Sequence, residues 1–67
     1  MITYEPLKRT LLEKGWNISD LRKHGVHPTI VAAINRNELL TLMQIERICT
    51  VLDVPIEKVV QVIRAKE

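Results

Sequence analysis

The stretch NISDLRKHGVHPTIVAAINR, residues 17–36, decides the fold, because it holds two helix starts with a helix stop between them. Asn17 has a side chain suited to an N-cap, and Asp20, three residues on, stands in a capping-box-like relation to it. Ile18 and Leu21 mark an inner face one turn apart, and Gly25 then stops the helix. Pro28 restarts it, since its fixed φ suits the first helical position, where the missing N–H would have no partner anyway. Val31 and Ile34 lie one turn apart, which leaves Thr29, Ala32, Ala33 and Arg36 nearer the opposite side. The pattern predicts two short helices, about 18–24 and 28–35, hinged at Gly25.

Working outward, Glu5-Pro6 opens a helix over about 6–14, with Leu7, Leu11 and Leu12 expected on one buried face and Gly15 as its stop. On the other side, Arg36-Asn37-Glu38 breaks the apolar pattern and reads as a loop. Thr41 and Gln44 form a capping box for a helix over 42–52, with Leu42, Ile45, Ile48, Cys49 and Leu52 at helical spacing. Asp53-Val54-Pro55 interrupts the chain, because proline disfavours helix in the residue before it. Ile56, Val59, Val60 and Ile63 are rich in β-branched side chains, yet they repeat at three and four rather than two, which predicts a last helix over 56–63. Ile2-Thr3-Tyr4 reads as an edge strand or a disordered arm, and the tail Arg64 to Glu67 is expected to fray. The expectation is one all-α domain over 1–67, a compact bundle of five helices.

Composition narrows the classes. At 67 residues with 46% apolar content, the chain buries only about 60% of the surface it exposes when unfolded, so its stability is marginal unless caps or a second subunit add to it. The single cysteine, Cys49, allows no intrachain disulfide, and two histidines without neighbouring thiolates or carboxylates give no metal site. Charges interrupt every apolar run and the start MITYEP lacks the pattern of a signal peptide, so a soluble, cytoplasmic protein with no membrane contact is expected. Residues 1–36 carry six basic groups against three acidic ones, while residues 37–67 carry four against five, so the basic half is the half that holds the hinge. No Gly-rich phosphate loop, serine elbow or convergent carboxylate pair is present, and neither catalysis nor a cofactor is expected.

The order of a leucine-bearing first helix, DLRKHGV, PTIVAAINRNE and TLMQIERICTVLDV followed by PIEKVVQVI resembles the Cro/CI-type, or XRE-like, helix-turn-helix family across nearly the whole chain. The likeness is strongest to a compact single-domain branch with an aromatic near the start, here Tyr4, and an Ile-Cys pair in the fourth helix, here Ile48-Cys49. The resemblance implies a lambda-repressor-like bundle that binds duplex DNA as a homodimer and acts as a transcriptional repressor, its third helix entering the major groove. The positions matching the base-facing side are His27, Pro28, Thr29, Ala32, Ala33 and Arg36. Those matching backbone contacts are Asn17, Ser19, Arg22, Lys23, Asn35 and Asn37. In one respect this chain departs from the family: Leu21 to Gly25 is a step of four where the family has five, so the second helix ends early or the turn tightens. In another, two alanines occupy the expected reading face, where alanine and threonine suit a thymine methyl and Arg36 a guanine edge.

Each of these residues has a plainer reading. Arg36 also suits a helix C-terminus, and His27 a solvated turn. Lys8, Arg9, Lys14, Arg22 and Lys23 form either a phosphate-tracking rim or a solvated face. His24 reads as a helix-end charge or a partly buried ring, Trp16 as a core or rim anchor, and Cys49 as a small buried hydrophobe. The alanine-rich third helix leaves a second reading open, a protein-interaction module on the same scaffold with a protein partner in place of DNA readout.

Overall fold

The computed structural model describes residues 1–64 and orders them as β1 (Ile2–Thr3), α1 (Glu5–Lys14), α2 (Asp20–Lys23), α3 (Pro28–Asn35), α4 (Leu42–Leu52), a 3₁₀ turn (Ile56–Lys58) and β2 (Gln61–Val62). Each of the four α-helices closes in the same way. A left-handed residue stands at the cap in α1 and α4 and one position past it in α2 and α3, and the next N–H reaches back five residues to a carbonyl that the helix leaves open. The left-handed positions are Gly15 (φ 72°), Gly25 (φ 99°), Asn37 (φ 56°) and Asp53 (φ 56°). The long-reach bonds run from Trp16 to Leu11 (2.9 Å), Val26 to Leu21 (3.0 Å), Glu38 to Ala33 (2.8 Å) and Val54 to Cys49 (3.1 Å). Three of the residues arriving from these turns pack inward, Val26 being almost fully buried and Trp16 and Val54 partly so, while Glu38 stays exposed.

The core draws on all four helices and on the residue after the 3₁₀ turn, with Leu7, Leu21, Ile48 and Val59 wholly enclosed. The α4 box is complete, Thr41 Oγ1 accepting the Gln44 N–H at 3.2 Å and Gln44 Oε1 accepting the Thr41 N–H at 2.8 Å. Tyr4 is buried, and its hydroxyl donates to the Glu38 carbonyl, tying the start of α1 to the loop after α3.

Four expectations need correction. The predicted helix over 56–63 is absent: the chain makes one 3₁₀ turn, plants Val59 in the core, and then runs extended, so that Ile2 faces Val62 and Thr3 faces Gln61 in an antiparallel ribbon. Among the described residues the architecture is therefore four α-helices with a two-stranded ribbon and not an all-α bundle of five. A free β1 offers a β-branched segment backbone partners that an isolated helical turn at a chain end does not, and tertiary pairing overrides the three-and-four repeat. Ile56 and Ile63, expected on that helix's inner face, are both about half exposed. Leu12 is 82% exposed, because a step of one residue turns the helix by about 100° and Leu11 already points inward. The inward place beside it goes to Thr10, whose hydroxyl donates to the Lys58 carbonyl at 2.6 Å. Leu42 is 75% exposed, lying in the first turn of α4 ahead of the point where Ile45 and Ile48 meet the core. Of the tail expected to fray, residues 65–67 lie outside the described residues.

Candidate nucleic-acid interface

The hinge region follows from its local sequence. Before α2, the N–H groups of Asp20, Leu21 and Arg22 bond three residues back to Asn17, Ile18 and Ser19, so the entry is a tight 3₁₀-like turn, not α-helix. Half of the capping relation forms: the Asp20 carboxylate accepts the Asn17 N–H at 3.0 Å, while the Asn17 side chain accepts the Ser19 hydroxyl at 2.6 Å. The Asn17 amide, joined by Lys23 Nζ at 3.3 Å, holds Asp20 below the usual carboxylate range. The helix proper covers Asp20–Lys23 instead of 18–24 and closes through the left-handed Gly25. The ring of His24 stacks on Trp16, with centroids 4.2 Å apart and planes 10° from parallel, holding the end of α2 against the end of α1.

α3 buries Ile30, Val31 and Ile34, keeps Ala32 and Ala33 half-buried, and exposes Thr29, Asn35 and Arg36. Ser19, Arg22, Lys23 and Pro28 line one shallow open depression, so the α2 residues matched to backbone contacts and the start of α3 share a surface. Asn35 and Asn37 lie at the other end of α3, and Asn37 is also the left-handed residue that closes it. Arg36 reaches Glu38 Oε1 at 3.5 Å through Nη1, both side chains remaining exposed. His27 is the N-cap of α3. Its Nδ1 accepts the Thr29 N–H at 3.1 Å and lies 2.7 Å from Thr29 Oγ1, so two residues assigned to base reading are bonded to each other.

No protein-family model matches the chain, and no curated protein matches it. A solved structure does. The crystal structure of the transcriptional regulator VanUg, form II, matches with a TM-score of 0.80 at 23% sequence identity, over 90% of this chain and 81% of that one. At that identity the likeness is one of fold.

Arg47 of α4 was not singled out from the sequence. A Cβ added to Gly25 would stand 3.3 Å from its Nη2, so an α4 cation lies over the closing turn of α2, where carbonyls converge. Leu39, Leu42 and Met43 form a second feature, exposed at 76%, 75% and 78% just beyond α3. Among the described residues no helix is long and apolar enough to cross a membrane.

Proposed function

We propose that this chain is a Cro/CI-type transcriptional regulator that binds duplex DNA as a homodimer, each subunit laying Pro28 to Arg36 in a major groove. The observation that carries the reading is the shared surface of Ser19, Arg22, Lys23 and Pro28, which aligns the polar side of α2 with the entry of α3. Phosphate contacts from α2 would fix the register, and Thr29, Ala32, Ala33 and Arg36 would then meet base edges. Half-buried alanines favour close approach to thymine methyls over hydrogen-bonded readout, so Arg36 would supply the directional contact after leaving Glu38. Occupation of an operator by such a dimer would exclude polymerase, and the likeness to a transcriptional regulator supports that role.

An anisotropy titration against a pooled random duplex library tests it. Binding should weaken with salt at a slope of about −0.9 per neutralised phosphate. The absence of salt-sensitive binding to any duplex rejects the proposal.

The exposed Leu39, Leu42 and Met43 favour one second reading, a protein-interaction module on the same scaffold, because three large apolar side chains left to solvent within five residues suit a contact surface. Arg36→Ala with Thr29→Ala separates the two. A DNA reader loses base preference by about 1–3 kcal/mol per lost contact, whereas a protein module keeps its partner until a charge is placed at Leu39 or Leu42.

A further inference from the structure

The direction of the backbone groups along β2 follows from the bonds at its end. The Ile63 N–H donates to the Met1 carbonyl at 2.7 Å, and the Met1 amino group donates to the Ile63 carbonyl at 3.1 Å. The N–H and C=O of one trans peptide point in opposite directions, so the Val62 carbonyl and the Arg64 N–H face away from β1. Bonded and non-bonded pairs alternate along an antiparallel ladder, which turns the Val62 N–H and the Val60 carbonyl to the same free edge. Among the described residues none of these groups has a protein partner. The segment Val59 to Ile63 carries neither a charge nor a proline, the devices that usually blunt an edge, and Val62 is 64% exposed. On β1 the edge is shorter, because the chain enters α1 at Glu5. Beside the β2 edge, Val60 and Val62 line a cleft of about 570 Å³, to which α1 gives Arg9 and Glu13 and the 3₁₀ turn gives Glu57 and Lys58. Its acids and bases offset one another, so the cleft suits an uncharged strand better than a phosphate.

We infer that the edge of β2 is the homodimer interface: a second copy adds its own β2 antiparallel to the first, about a two-fold axis at Val62, and the ribbons join into one sheet. This supplies the face that the homodimer of the reading above requires, and it rests on that reading. A second copy is the occupant because the edge is complementary to itself. With Val62 opposite Val62, the two residues exchange both bonds, and each Arg64 N–H meets the Val60 carbonyl of the other copy. The ladder ends there, since the Val60 N–H is already donated to the Ile56 carbonyl at 3.0 Å. The same register brings Arg64 near Glu57 of the other copy, and neither belongs to an ion pair among the described residues. A strand pair this short buries less than the ~800 Å² per partner of a standard interface. The dimer is therefore of micromolar strength and is completed on DNA, where neighbouring half-sites raise the local concentration.

Sedimentation equilibrium of the full chain should show monomer and dimer exchanging in the micromolar range. Val62→Lys should weaken the dimer about tenfold or more, because the axis sets the two new cations face to face. Val62 is exposed, so the variant should melt like the wild type. A dimer of unchanged strength in Val62→Lys overturns the inference. A wild type that stays monomeric at millimolar concentration also overturns it and leaves the edge to a different partner. Isotope-filtered NOE spectra of a mixed labelled sample read the wild-type interface without any variant. Contacts of Val62 with Val62, and of Val60 with Arg64, between copies support the two-fold; contacts confined to Leu39, Leu42 and Met43 overturn it. On a duplex with two half-sites Val62→Lys should lose about tenfold in affinity despite its added positive charge, while its binding to a single half-site does not fall. A wild type that dimerises through β2 yet binds no duplex upholds the interface and rejects the DNA reading alone. Salt-sensitive duplex binding by a dimer formed elsewhere rejects the interface alone.

Discussion

Gly25 bears the tightest local constraint of the hinge. Its φ of 99° lies where a Cβ collides with its own backbone, and that Cβ would also press on the Arg47 guanidinium. Gly25→Ala should cost about 1–2 kcal/mol in urea unfolding; an unchanged midpoint would mean that the turn relaxes freely. Asp20 sets the other side of the same element. Its pKa is lowered by the Asn17 N–H and Lys23, so the folded value lies below the unfolded one. The stabilisation is then complete above the ordinary aspartate range and lost as pH falls through the lowered value. An NMR titration of the Asp20 carboxyl should give a midpoint below that of a free aspartate, and a midpoint at or above it contradicts the cap.

At the scale of elements, what could be read from sequence was what local chemistry writes. Pro28, Gly15, Gly25 and the Thr41–Gln44 box are signals satisfied within a few residues, and the structure has the matching starts and stops. Asn37 and Asp53 serve as the same left-handed stop as the glycines, a role read at neither position because those side chains are also ordinary in loops. The last element was misread because its pattern fits a helix as well as a strand, and the partner that decides, Ile2–Thr3, is about sixty residues away. Facing was misread at Leu12 and Leu42 because periodicity gives a direction but not where the core ends. For the candidate interface, Ser19, Arg22, Lys23 and Pro28 share one depression, while Asn35 and Asn37 lie at the other end of α3. The bond between His27 and Thr29 depends on rotamers that spacing does not encode. One comparison checks the core: Ile48→Ala should cost about 2–5 kcal/mol, and Leu42→Ala should stay within about 0.5 kcal/mol, both read from denaturant midpoints. Similar losses at both sites would contradict the placement of α4.

For the whole molecule, a chain of this length has roughly 3–10 kcal/mol of stability, so the loss expected at Ile48 is a large share of the total. The basic half surrounds the hinge, and three of the described cations are tied to near neighbours, Lys8 to Glu5, Lys23 to Asp20 and Arg36 to Glu38. Such exposed pairs add little to stability and are easily exchanged for phosphate. The ribbon is antiparallel, and beyond its Ile2–Val62 pair the Ile63 N–H donates to the Met1 carbonyl at 2.7 Å. A load applied to the two ends therefore falls on that outermost rung alone, then on Ile2–Val62, then on Thr3–Gln61, like a zipper and not like strands sheared along their length. Under tension the molecule opens there first, at low force, while α1 to α4 still hold the hinge in shape.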